Sequence, residues 1–106
     1  MHRAYAGQGA GRCSILGQPG TATAEIAALI NGTAAHAIDF DDNFLPAVTH
    51  ASAVMVPALL ALGEETGAGG ADLLDAYVIG LEVQAWLGRR MMPAHYAAGW
   101  HATSTI

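Results

Sequence analysis

Apolar positions recur at helical spacing through most of the chain, and three stretches stand out. After Thr21 or Thr23, either of which can cap free N–H groups, Ile26, Leu29, Ile30, Thr33, Ala37 and Phe40 follow a 3.6-residue period. The spacing predicts one helix reaching Phe40. Asn31-Gly32 stays inside it, because small residues let another backbone approach closely. A second helix is expected from Ser52, a capping residue, to Gly63. It is apolar on every side, which predicts burial, and Pro57 should bend it. The third is expected from Asp72 to about Gly88, with Asp72 in its first turn and Arg89 and Arg90 at its end, as the helix dipole favours. There Asp75, Glu82 and Arg89 fall within about 40° of one line, a narrow polar stripe on an otherwise apolar surface.

The connecting segments carry turn chemistry. Gly7, Gly9, Gly11, Gly17 and Pro19-Gly20 surround one short strand-like run over residues 13–16. The spacing Gly7-x-Gly9-x-Gly11 has no strand before it and no helix directly after it, which argues against a phosphate-binding loop. A loop containing Pro46 separates the first two helices, and residues 67–70 form a turn. The Thr and Ser after His101 read as the start of a further helix. The fold class is therefore all-α: part of a helical-bundle domain with a short extended N-terminal segment.

Composition changes this picture in one respect. With 106 residues, 53% apolar and 12% charged, the chain has room for one domain at most and is not disordered. Alanine and glycine together supply about a third of it, and a domain near this size buries only about 60–65% of its unfolded surface. Apolar positions outnumber what such a chain can cover, so a piece of something larger, or an obligate oligomer, is expected. The longest apolar run, 51–63, contains Pro57 and falls short of the roughly 18–20 residues of a membrane span. No apolar signal segment follows the N-terminus, and the single cysteine, Cys13, cannot form an internal disulfide. A cytoplasmic setting is expected. Net charge is −5 and the four cations, all arginine, form no stripe, which excludes nucleic acid as a partner.

Three constellations could carry chemistry. If the first helix continues, His36, Asp39 and Asn43 lie within about 60° of one another at the border of the apolar stripe, where polar groups line a cleft. Asp41 would point nearly opposite, as a solvated or capping carboxylate. Carboxylates at a helix C-terminus oppose the dipole, and that unfavourable placement points to function for Asp39. Thr49-His50 precedes a buried helix, where positive potential favours a neutral imidazole suited to a general base. The plain alternative is a capping-loop histidine. His101 again precedes an expected helix start flanked by hydroxyls, an anion-binding arrangement; the alternative is a histidine packed in a loop. His95 and His2 read as surface or loop residues.

A metal is the competing account. His36, Asp39 and His50 would make a two-histidine, one-carboxylate set. The run Asp39-Phe40-Asp41-Asp42-Asn43 also resembles the magnesium-binding aspartates of helical isoprenoid synthases. That chemistry needs cations around a diphosphate, and no Lys or Arg stands between Arg12 and Arg89. Acid–base catalysis with no metal and no cofactor fits better.

Taken together, the string Ala34-Ala35-His36-Ala37-Ile38-Asp39-Phe40-Asp41-Asp42 resembles the signature of the MmgE/PrpD family, the 2-methylcitrate dehydratases and their relatives. So do Thr49-His50-Ala51-Ser52, the run from Pro57 to Leu62, the run from Gly70 to Val83, and His95-Tyr96 with Gly99-Trp100-His101-Ala102-Thr103. The resemblance covers almost the whole chain. It implies a large helical domain joined to a smaller α+β lid in a longer, usually dimeric chain. Residues 1–106 would be a partial domain, truncated at both ends relative to the family. It implies a lyase acting on citrate-like polycarboxylates without cofactor: a 2-methylcitrate dehydratase, or alternatively a cis-aconitate decarboxylase or diacid epimerase.

The catalytic positions carried over by the resemblance are Asp39, His50 and His101. Asn43 stands where relatives often have threonine, and with Thr49 and Thr103 forms the substrate-binding set. Relatives also use a lysine and a further histidine downstream, and this chain contains no lysine. In the elimination, one group takes a proton beside a carboxylate and another protonates the departing hydroxide. His50 and His101, oriented by Asp39, are the expected pair. A stand-alone helical oligomerisation module is the alternative of a different class.

Overall fold

A computed structural model describes residues 10–104. Gly7, Gly9, His2 and Thr105, which entered the sequence reading, lie outside the described residues. The chain begins with β1 (Cys13–Ser14), which turns back to pair antiparallel with β2 (Thr21–Ala22), Cys13 facing Ala22 and Ser14 facing Thr21. Three helices follow: α1 (Ala24–His36), α2 (Ala51–Thr66) and α3 (Gly70–Ala97), then a 3-10 turn over Ala102–Ser104. The fold is all-α apart from this two-stranded ribbon. Helix α2 is the middle layer, packed against α1 on one side and α3 on the other.

The core lies where the ribbon meets the first two helices. Cys13, Ile15, Ala22, Ala27, Ile30 and Ala61 form one buried cluster. Asn31 explains why a polar residue sits inside α1. Its side chain is buried, takes the Leu16 N–H at 2.9 Å and donates to the Ser14 carbonyl at 2.9 Å, so it pairs with the ribbon backbone as a neighbouring strand would. The next residue allows close packing, as expected. A Cβ on Gly32 would stand 2.9 Å from the Ala53 carbonyl oxygen and 3.7 Å from the Pro57 ring. Only glycine lets α1 and α2 approach this closely.

Several boundaries differ from the periodicity. Helix α1 ends at His36 rather than Phe40, because Asp39 takes a left-handed conformation (φ 53°) that no α-helix continues through. Ile38 and Phe40 are consequently exposed. Helix α2 starts at Ala51, with His50 and not Ser52 at its N-cap, and runs on to Thr66. It closes at Gly67 (φ 73°), whose N–H reaches the Gly63 carbonyl at 2.8 Å. Nor is it buried on every side: Val54, Val56, Leu60 and Leu62 are exposed.

Helix α3 begins at Gly70, where Asp72 accepts the Gly69 N–H at 2.9 Å, and runs through Pro93 to Ala97. Pro93 removes only the bond to the Arg89 carbonyl one turn earlier, in an exposed final stretch where water can serve instead. Arg89 and Arg90 therefore lie inside the helix and do not complement its end. Arg90 folds back over the Trp86 ring, 4.1 Å from its centroid. The further helix expected after His101 is a single 3-10 turn. Leu74, Val78, Ile79, Val83 and Trp86 stay exposed on α3, the uncovered apolar surface that the composition led us to expect. No helix among the described residues is long and apolar enough to cross a membrane.

Candidate functional site

The segment between α1 and α2 is shaped by its own backbone. Phe44 donates to the Thr49 carbonyl at 2.8 Å and Thr49 donates back at 3.3 Å, with Val48 left-handed (φ 51°) to close the loop. This return brings His50, at the mouth of α2, beneath the residues that leave α1. Two side chains from different segments then satisfy the free amides of α2. Thr103 Oγ1 accepts the His50 N–H and Asp42 Oδ1 accepts the Ser52 N–H, both at 2.9 Å. The acidic run thus serves the N-terminus of α2, where the dipole favours it, rather than the C-terminus of α1.

Around His50 the polar side chains converge. His36 Nδ1 lies 3.1 and 3.0 Å from the two oxygens of Asp41. His50 Nδ1 stands 3.4 Å from Asp41 Oδ1, and His50 Nε2 stands 3.5 Å from Asp39 Oδ1. The His36 and His50 rings are 4.7 Å apart at 49°, and His101 stacks against His50 at 5.9 Å and 26°. Tyr96 flanks His101 at 6.1 Å. The His50 and Asp41 side chains are 13% and 11% exposed, whereas Asp39 is 77% exposed. Although close to Asp41, His50 Nδ1 is not aligned for a hydrogen bond and is buried without one. Burial raises the Asp41 carboxyl, but hydrogen bonds from its own backbone and from His36, with the charges of His36 and His50, outweigh it and hold it below the usual carboxylate value.

Asp39, His50 and His101 are therefore neighbours in sequence order around one imidazole: His50 touches both of the others. The geometry of the approach differs from the helical face first drawn, since Asp39 reaches His50 from a left-handed loop position. Asn43 is exposed on the same loop. Thr49 is 2% exposed and its hydroxyl donates to the buried Gln84 Oε1 at 3.0 Å, toward α3. Thr103 supports the backbone of His50. Asp41 is the residue the sequence misplaced: it is neither solvated nor a cap but sits against both His36 and His50. No helical spacing links positions 36 and 41, so the loop conformation alone creates that pair.

Chemically, the cluster can hold and move protons between imidazoles and carboxylates at one protein surface. His36, Asp39, Asp41 and His50 also each offer one ligand atom, all within 4.8 Å of one another, so among the described residues this group could hold a cation. Two surface grooves lie elsewhere. Both run along α3, one beside Val78, Val83 and Trp86 with Glu82, Arg89 and Arg90 also lining it, and the other, apolar, between Leu59, Leu73 and Tyr77.

Comparison with known proteins finds relatives of the chain. The model of the MmgE/PrpD N-terminal domain matches residues 1–106. A cis-aconitate decarboxylase-like protein of Aspergillus oryzae is 33% identical over 100 residues, covering 87% of this chain and 21% of that protein. The cis-aconitate decarboxylases of Mus musculus and Homo sapiens are each 46% identical over 65 residues, covering 58% of this chain and 13% of theirs. The chain thus spans about a fifth or less of the length of these relatives. No solved structure matches.

Proposed function

The chain belongs to the MmgE/PrpD family, and from that premise we propose that it supplies part of the acid–base site of a lyase acting on citrate-like polycarboxylates. The observation that carries the proposal is His50 close to both Asp39 and His101, a largely buried imidazole with a carboxylate and a second imidazole as neighbours. In an elimination of the 2-methylcitrate type, one imidazole takes the proton beside a carboxylate and the other protonates the departing hydroxide. In a decarboxylation of the cis-aconitate type, the C–C bond electrons pass to the adjacent carbon as CO₂ leaves, and an imidazolium protonates that carbon. Two of the named relatives are described as cis-aconitate decarboxylases and the third as like one, which makes decarboxylation the first reaction to assay. No metal or organic cofactor enters either step.

The test is turnover of cis-aconitate and 2-methylcitrate by the longest product that contains this segment. General acid–base catalysis contributes about 10²–10⁴-fold, so His50→Ala and His101→Ala should each lose about a hundredfold or more. Activity of both variants within about threefold of the parent would remove these histidines from the chemistry. The exposed apolar face of α3 supports a second reading, a non-catalytic module that self-associates. Size-exclusion chromatography separates the two: assembly without turnover or ligand binding favours the module.

A further inference from the structure

The cluster has a property that proton transfer does not require. Two imidazoles and two carboxylates from the end of α1, the following loop and the mouth of α2 bring four donor atoms within 4.8 Å of one another. An ion bound tetrahedrally at about 2.0–2.2 Å holds its ligands about 3.3–3.5 Å apart. The His36–Asp41 separation of 3.0 Å and the His50–Asp41 separation of 3.4 Å are already near that span. Asp39, whose Oδ1 stands 3.5 Å from His50 Nε2, is the most exposed member and sits on a loop, so closing the remaining gap moves one exposed carboxylate rather than the core.

A second observation singles out the same place. His50 Nδ1 is buried and has no hydrogen-bond partner, although it stands beside a carboxylate. Buried polar nitrogens are nearly always paired, and a Lewis acid between His36, Asp41 and His50 would pair this one. The donor set also selects the ion. Nitrogen and oxygen in equal number suit a borderline divalent ion such as Zn2+ or Co2+, whereas Mg2+ and Ca2+ prefer oxygen throughout and soft ions prefer sulfur. The two carboxylates offset its charge.

We infer that His36, Asp39, Asp41 and His50 form a site for one borderline divalent transition-metal ion, which on binding takes up the His50 nitrogen and withdraws it from proton transfer. Ion binding is read without any turnover, so its failure and the failure of the acid–base reading are separate results.

The untagged chain is titrated with Co2+ and followed by the visible d–d absorption of the bound ion, with Zn2+ as competitor. One Co2+ per chain should bind, and Zn2+ should abolish the bands. His36→Gln and Asp39→Asn should each weaken binding by about tenfold or more, while His95→Gln leaves it unchanged. Circular dichroism checks the helices of each variant. Asp39 is exposed, so its variant keeps the test open even if His36→Gln does not fold. Absent bands at about millimolar Co2+, bands unchanged in Asp39→Asn, or bands lost in His95→Gln would each overturn the site.

Discussion

Glu64, in the last turns of α2, accepts the backbone N–H of Ser14 in β1 and so ties the N-terminal ribbon to the middle helix. That hydrogen bond is the main cause that holds the Glu64 carboxyl below its usual value, against a smaller opposing effect of burial. A carboxylate with a depressed folded pKa contributes stability above its unfolded value, about 4.3. That contribution is lost as pH falls through the folded pKa. Glu64→Gln should therefore lower the urea midpoint near neutral pH, and the gap between variant and parent should close on acidification below about pH 4. A gap that stays constant across that range would mean that the charge of Glu64 adds nothing to the ribbon's attachment.

A second expectation concerns the hydroxyl that sequence reasoning assigned to substrate. Thr49 and Gln84 are both buried, and the Thr49 hydroxyl donates to Gln84 Oε1. Thr49→Val keeps the volume but leaves that oxygen buried and unpaired, at a cost of about 1–3 kcal/mol. Gln84→Met in the same background removes the orphaned group and should recover much of the loss. Urea unfolding of the two single variants and the double variant measures the coupling. Strictly additive losses would show that the pair is not a working bond.

These two contacts mark where the sequence stops being legible. The three helices follow from the 3.6-residue period, and the small pair Asn31-Gly32 foretold the close approach of α2. Asp39, His50 and His101 were identified from their family pattern, and the structure puts His50 against both of the others. The end of α1 could not be read, because Ala37 and Phe40 prolong the apolar period past the point where Asp39 turns left-handed. From that error followed the misplacement of Asp41, whose contact with His36 exists only because the helix stops. The end of α3 was misread in the opposite direction: the helix expected to stop near Gly88 continues through Pro93, whose missing N–H is tolerated in an exposed last turn. In each case a backbone choice, set by tertiary contacts rather than by local pattern, decided the outcome.

The last prediction tests the crossing that supports the site. Gly88, buried in α3, faces the loop that leads into His50. A Cβ there would fall inside the van der Waals envelope of Ala47 Cα and Cβ and stand 3.1 Å from the Pro46 carbonyl oxygen. Backbone atoms cannot swing aside as a long side chain can, so Gly88→Ala must push the loop away from α3. Overpacking of this kind costs about 1–3 kcal/mol. It opposes the gain of up to about 1 kcal/mol that alanine brings to a helix interior, and the net effect should be destabilising. Gly70, at the start of the same helix, has nothing within 4 Å of the added atom. Gly70→Ala should therefore leave stability unchanged or raise it. Urea unfolding compares the two variants, and the His50 imidazole resonances report whether the loop has moved. A Gly88→Ala chain as stable as Gly70→Ala, with unshifted His50 signals, would show that α3 does not press on the loop in solution.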